Sequence, residues 1–333
     1  MPEIHTQLEL FAIEPGDPPL RDYQDCMLYP FLSLQKNRIK PILFASRTKS
    51  RDVYIKVQAL VGFYIASIWD WDFPLALTAH LNEAIERGRP ASNTISFSPY
   101  NVLTAMRRGT SGREYQNLAN SIRRLHATHV FTNIREFDQP GGQETGFNWI
   151  TSFCIPKKYS HFGSITEAEP EGEADPTRLW RVTLQPWLYN ALLRRNEILA
   201  VHPAYFELTG GIERWLYRLA RKAVPDYSDC PSISFPVKTL YNYSGVTGTL
   251  KKFTAKLREI EDRDPLPEYG IAVNRAPDNT SVTLFRRSLA GPRTRQGILT
   301  SDQAVHELQK PAGSQDADLP ADAAIRVIGG LCG

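Results

Sequence analysis

The chain has 333 residues, 42% hydrophobic and 23% charged, which excludes a fibrous or disordered protein and leaves room for two ordinary domains plus tails. Its longest apolar stretch, residues 59–69, is too short to span a bilayer, and residues 1–10 lack a secretion signal, so a cytoplasmic protein with no membrane partner is expected. A net charge of +3 conceals −5 in residues 1–25, −5 in 166–176 and −3 in 300–333, leaving +16 elsewhere; on charge alone, a polyanion partner such as nucleic acid and plain solubility charge weigh about evenly.

Residues 1–25, rich in Pro and Asp, are expected to be a flexible tail. A first folded block is expected over 26–165. Within it, FPLALTAHLNEAIERG (73–88) has helical periodicity, with Gly88 as its stop. In FSPYNVLTAMRR (97–108), Ser98 can cap a helix, Pro99 suits its first position, and Val102, Leu103 and Met106 form an apolar side. GTSG (109–112) then turns the chain.

The next helix places Tyr115, Leu118, Ile122 and Leu125 on one face. Its opposite face carries Arg113, Gln116, Asn117, Asn120, Arg123 and Arg124, with Arg107 and Arg108 just before the turn. This is the helix-turn-helix plan. Strand-forming stretches at 130–137 and 147–155, joined by a polar turn, read as a hairpin wing directly after it. Arg pairs bidentately with guanine, Asn or Gln with adenine, and further arginines meet phosphate, so these eight side chains are candidate DNA contacts. An isolated helix of this kind is more often a solvated face; the turn and hairpin reverse that preference.

Residues 166–176 (TEAEPEGEADP) have nothing to bury and read as an acidic linker or loop. The second block, expected over 177–288, repeats the plan. GGIERWLYRLARKAV (210–224) turns Ile212, Leu216 and Leu219 inward, with Arg214, Arg218, Arg221 and Lys222 spread around it. SFPVKTLYNYSG then spaces Pro236 and Leu240 like Pro99 and Leu103, and SGVTG supplies the turn. TLKKFTAKLREIED (249–262) puts Leu250, Phe253, Leu257 and Ile260 on one face. Its outer side offers Thr247, Lys251, Lys252, Ala255, Lys256 and Arg258; all but Ala255 are candidate DNA contacts. Strands at 269–275 and 281–287 make a second wing. A duplication of roughly 130 residues explains the parallel. The expected fold is thus α+β, two tandem winged-helix domains, followed by a disordered tail over 289–333.

Nothing in the sequence calls for catalysis. His126 and His129 are not the His-hydrophobic-His triplet of a metal-dependent nicking enzyme, and packing is the better reading for them. Tyr241 and Tyr243 suit aromatic packing or phosphate contact, and GVTGTLKK is no nucleotide loop. Trp180, Trp187 and Trp215 could stack on bases, but core packing is commoner. Cys26, Cys154, Cys230 and Cys332 form no CxxC or CxxH pair, so buried reduced thiols are expected. No catalytic residue, metal or cofactor is expected.

Four stretches occur in order: YPFLSLQKNRIKPILF (29–44), FSPYNVLTAMRRGTSGREYQNLANSIRRL (97–125), HPAYFELTGGIERWLYRLARKA (202–223) and SFPVKTLYNYSG (234–245). Together they resemble the plasmid replication initiator protein A family, tandem winged-helix initiators, over about residues 27–287. The resemblance implies binding to repeated sites (iterons) in double-stranded origin DNA, opening of the adjacent AT-rich duplex, and recruitment of the host initiator and replicative helicase machinery. It also implies that the C-terminal winged helix makes the main base contacts. The N-terminal one contacts DNA in the monomer or serves a homodimer that represses its own gene. One departure stands out: the first recognition helix is richer in Arg and amide side chains than the second. A winged-helix repressor with no replication role is the alternative, and a rolling-circle nicking enzyme a more distant one.

Overall fold

The computed structural model describes residues 11–12, 17–47, 52–134, 143–160, 179–194, 196–224, 232–274 and 280–287. Two short strands, β1 (Phe11–Ala12) and β2 (Arg21–Tyr23), precede a one-turn helix, α1 (Gln24–Leu28). β3 (Ile42–Arg47) and β4 (Asp52–Ala59) pair antiparallel, with buried and exposed side chains alternating as a half-covered sheet requires. Helix α2 (Asp72–Glu86) buries polar Thr78, His80 and Asn82 as well as Phe73, Leu75, Leu77 and Leu81. It is therefore an interior helix, enclosed on most sides. Gly88 ends it at φ 68°, a backbone conformation that costs glycine least.

The helix-turn-helix follows: β5 (Thr94–Phe97), α3 (Pro99–Ala105) and α4 (Gly112–Ala127). Ser98 occupies the α3 cap position, although its side chain makes no capping bond. β6 (Thr128–Thr132), β7 (Thr145–Asn148), β8 (Ile150–Cys154) and β9 (Trp180–Leu184) come next, then α5 (Pro186–Leu193) and β10 (Ile198–Ala200). The second series is α6 (Gly211–Ala223), β11 (Ser232–Pro236), α7 (Val237–Ser244), α8 (Leu250–Arg263), β12 (Tyr269–Asn274) and β13 (Ser281–Arg286).

The repeat is visible in the sheets. β5, β9 and β8 lie in the order β5-β9-β8, and β11, β13 and β12 in the order β11-β13-β12. In each set the first strand follows an interior helix, α2 or α6, and a helix pair separates it in the chain from the other two strands. Leu118, Ile122 and Leu125 of α4, and Phe253, Leu257 and Ile260 of α8, are buried at the expected spacing. Leu250 is not: it stands 40% exposed on the first turn of α8, ahead of the part that packs.

Three expectations change. The hairpin after α4 exists as β6 with β7, but β6 also pairs with β4, extending the β3-β4 sheet. Ile150–Cys154 leaves that sheet and pairs with β9, so the stretch 147–155 is shared between two sheets. Alternation shows that a segment is a strand; it does not choose among several open strand edges. Trp180–Leu184, expected in the second block, is likewise a strand beside β5 and β8. The acidic stretch 166–176 falls in sequence between β8 and β9 and, like 289–333, lies outside the described residues.

The third change concerns the N-terminal tail. Leu20, Asp22 and Tyr23 are buried, and β2 pairs with β10. The expected tail thus includes part of the interior, because Asp22 supplies a counter-charge needed there. Buried residues from both series form one continuous hydrophobic cluster. Gly211, at the start of α6, faces the Leu34 carbonyl and the Trp69 ring, where there is no room for a side chain.

Candidate nucleic-acid interface

Both helix-turn-helix units place their second helix over a buried apolar stripe, and they differ in what the other side meets. On α4, Arg123 and Arg124 turn inward. Arg124 clasps Asp70 bidentately, Nε to Oδ2 at 3.0 Å and Nη2 to Oδ1 at 2.6 Å. Ser121 and Ser67 also donate to that carboxylate, at 2.7 and 2.9 Å. Arg123 is buried; it donates to the Tyr159 carbonyl and, at 3.0 Å, to Asn120 Oδ1. Burial holds its guanidinium below the ordinary arginine pKa. Arg108 donates to Asp72 Oδ2 at 2.8 Å and to the Trp69 carbonyl at 3.0 Å.

The amides are engaged as well. Gln116 donates to Asn120 at 3.2 Å and Asn117 to Glu114 at 3.0 Å, all on half-buried side chains. Arg107 is exposed and pairs with Glu207 at 2.7 Å. Arg113, on the first turn of α4, is exposed with no ion-pair partner among the described residues. Of the eight first-unit candidates, Arg108, Arg123 and Arg124 thus have guanidiniums engaged within the fold. Their charge meets buried carboxylates or carbonyls, and withdrawing it would strand those groups.

The second unit is arranged otherwise. Lys251 and Lys252, on the first turn of α8, are exposed and have no ion-pair partner among the described residues. Thr249 caps the helix, accepting from the Lys252 amide at 3.3 Å. Thr247 is exposed, and its hydroxyl donates to Gln35 Oε1 at 2.6 Å. Lys256 pairs with Glu259 at 2.6 Å, and this contact holds the Glu259 carboxyl below its usual range. Arg258 is half-buried, with Nε out of water and without a hydrogen-bond partner among the described residues.

Sequence reasoning missed the carboxylates that absorb the basic charge. Asp72 accepts from Arg214 as well as Arg108, and Glu213 pairs with Arg263. A signal was available in WDWDF (69–73): carboxylates set among aromatic residues are buried, and buried carboxylates need cations. The tryptophans are core, with Trp180 and Trp215 buried and Trp187 packed against the cluster. His126 packs edge-on against Phe153 and bonds to the Ile150 carbonyl at 2.8 Å. Tyr243 is buried against Phe44, while the Tyr241 hydroxyl donates to the Gly248 carbonyl at 2.7 Å. Cys26 is buried as expected, but Cys154 is exposed on β8; Cys230 and Cys332 fall outside the described residues. Among the described residues no helix is long and apolar enough to cross a membrane, and no His, Cys, Asp and Glu cluster could hold a metal.

The replication initiator protein A family matches residues 21–271, which takes in both helix-turn-helix units. The chain belongs to that family. Among relatives of this initiator is a protein of Wigglesworthia glossinidia brevipalpis named as a replication protein. It is 29% identical over 214 residues, 63% of this chain and 70% of that one. Two crystal structures of domains 2 and 3 of RctB have TM-scores of 0.54 and 0.51, each at 13% identity. They cover 79% and 80% of this initiator, and 98% and 97% of their own chains. At that identity the likeness is one of fold: both halves of the initiator align with a two-domain segment.

Proposed function

We propose that this initiator binds repeated sites in plasmid origin DNA through two tandem winged-helix units, with α8 as the principal reading helix. The observation that carries this reading is the contrast between the two second helices. Lys251 and Lys252 are free to meet DNA, whereas the cations of α4 are largely paired inside the fold. The shared β5-β9-β8 and β11-β13-β12 order supports the tandem winged-helix description, with the first unit reaching β9. Thr247, Lys251, Lys252, Lys256 and Arg258 are the α8-side contacts, and Arg107, Arg113, Gln116, Asn117 and Asn120 the α4-side ones.

Binding and bending then supply the work of opening. Bending a site of this size costs a few kcal/mol, which many phosphate contacts can offset. In this reading the protein is no enzyme: the host initiator and replicative helicase provide hydrolysis, a homodimer represses the gene, and the setting is the cytoplasm. The test begins with gel-shift and footprinting against the DNA flanking the gene. Supplied in trans, the gene should sustain a replicon carrying the footprinted repeats. Promoter silencing without replication would instead make the protein a repressor. Open circles formed from supercoiled origin DNA with a divalent metal would make it a nicking enzyme.

A further inference from the structure

Residues 26–51 contain six cations and no carboxylate, and neither helix-turn-helix includes them. Between α1 and β3, the stretch 35–41 is exposed except for half-buried Arg38. It is held in place all the same. Arg38 donates through Nε to the Lys40 carbonyl at 2.8 Å, through Nη2 to the Pro41 carbonyl at 3.0 Å, and through Nη1 to the Gly245 carbonyl. Thr247 donates to Gln35, and the Ile65 amide donates to the Arg38 carbonyl at 2.8 Å. Asn37 takes a left-handed φ of 59°, which tightens the turn.

These bonds seat the loop against the turn that leads into α8. Gln35, Thr247, Thr249 and Lys252 line one concavity of about 240 Å³, so the loop and the start of α8 share a rim. On its other side, Lys36 Nζ lies 5.1 Å from the centre of the Trp69 ring. The Trp69 carbonyl in turn accepts from Arg108, which sits in the turn before α4. The loop therefore stands between the two helix-turn-helix turns. Lys36 and Lys40 are exposed on it, and no carboxylate among the described residues pairs with either.

We propose that the Gln35–Lys40 loop is a third DNA-contacting element, in which Lys36 and Lys40 hold the duplex phosphate backbone between the stretches faced by the two helix-turn-helix units. This rests on the DNA-binding reading above. A lysine is a compact point charge on a flexible stem, suited to phosphate rather than to a base edge. A loop already fixed by Arg38 loses little freedom on binding. Arg38 itself is a positioning residue, since its guanidinium is occupied by three carbonyls.

The full chain would be titrated with a labelled mixed-sequence duplex and with the duplex it footprints beside its gene, across a series of KCl concentrations. Each lysine withdrawn from a phosphate makes the slope of log K against log salt shallower by about 0.9, so Lys36→Ala/Lys40→Ala should make it shallower by about 2 on both duplexes. Its thermal midpoint should stay at the wild-type value. Lys56→Ala, an exposed lysine on the outer face of the β3-β4 sheet, should leave the slope unchanged. An unchanged slope in the double variant, or an equal per-lysine change in Lys56→Ala, overturns the inference and leaves the DNA-binding reading intact. Wild-type protein with no salt-dependent duplex binding overturns both.

Discussion

Arg218 on α6 donates through Nε to Oδ2 of Asp22 at 2.5 Å, with 2% of one side chain and none of the other exposed. Asp22 also accepts from the Trp71 indole at 2.9 Å and from the Tyr23 amide at 2.8 Å, so this carboxylate ties α6 to β2 and to the start of α2. Arg218→Leu should therefore cost about 3–5 kcal/mol, because Asp22 is left charged and out of water. Adding Asp22→Leu should recover part of that. Equilibrium urea unfolding measures both. A single-variant loss of about 1 kcal/mol or less, as for an exposed pair, would deny the pair its structural role.

Arg124→Ala and Lys251→Ala should fail in opposite ways. The first strands the buried Asp70 carboxylate and should lower stability by about 3 kcal/mol, with the salt slope of duplex binding kept. The second removes an exposed charge: stability should stay within about 0.5 kcal/mol, while the salt slope becomes shallower by about 1. Unfolding curves and anisotropy titrations on the same preparations decide the matter. A change in salt slope for Arg124→Ala, with native stability, would return α4 to the role its composition suggested.

Gly211→Ala should destabilise by about 1–3 kcal/mol despite the better helix propensity of alanine. The added methyl would run into the Leu34 carbonyl, which is backbone and cannot rotate away, and into the edge of Trp69. Gly112→Ala, at the start of α4, meets nothing within 4 Å and should leave the thermal midpoint level or slightly higher. Equal midpoints for the two variants would mean that α6 and the Leu34 segment leave room for a methyl between them.

His80 predicts an acid limit. It is buried in α2, its Nε2 has no hydrogen-bond partner among the described residues, and burial holds its pKa below the ordinary histidine value. The unfolded chain therefore takes up the proton first. Stability from the neutral ring is complete above about pH 6.5 and declines as pH falls from there toward the lower folded value. Urea midpoints should drop between neutral and mildly acid pH, and His80→Leu should flatten that drop. An identical drop in the variant would assign the acid sensitivity to other groups.

Much of this architecture is legible along the chain. Pro99 after Ser98, Gly88 after a helical run, and the matched spacing of Leu118, Ile122 and Leu125 with Phe253, Leu257 and Ile260 depend on neighbours within a turn or two. The pairing of β8 with β9 and the burial of Asp22 were not legible in the same way, because each needs a partner far off in the chain.

By itself, the sequence determined α2, α3, α4, α6, α7 and α8, their apolar stripes and the repeated helix-turn-helix, since periodicity and turn chemistry are local; the family showed through the resemblance of whole stretches. Only the tertiary structure decided which cations face outward. Arg108 meets Asp72 across 36 residues, Arg124 meets Asp70 across 54 and Arg218 meets Asp22 across 196. Composition counts these arginines as basic surface, but a guanidinium within 3 Å of a buried carboxylate presents little charge to a partner, while an exposed lysine such as Lys251 presents all of its own.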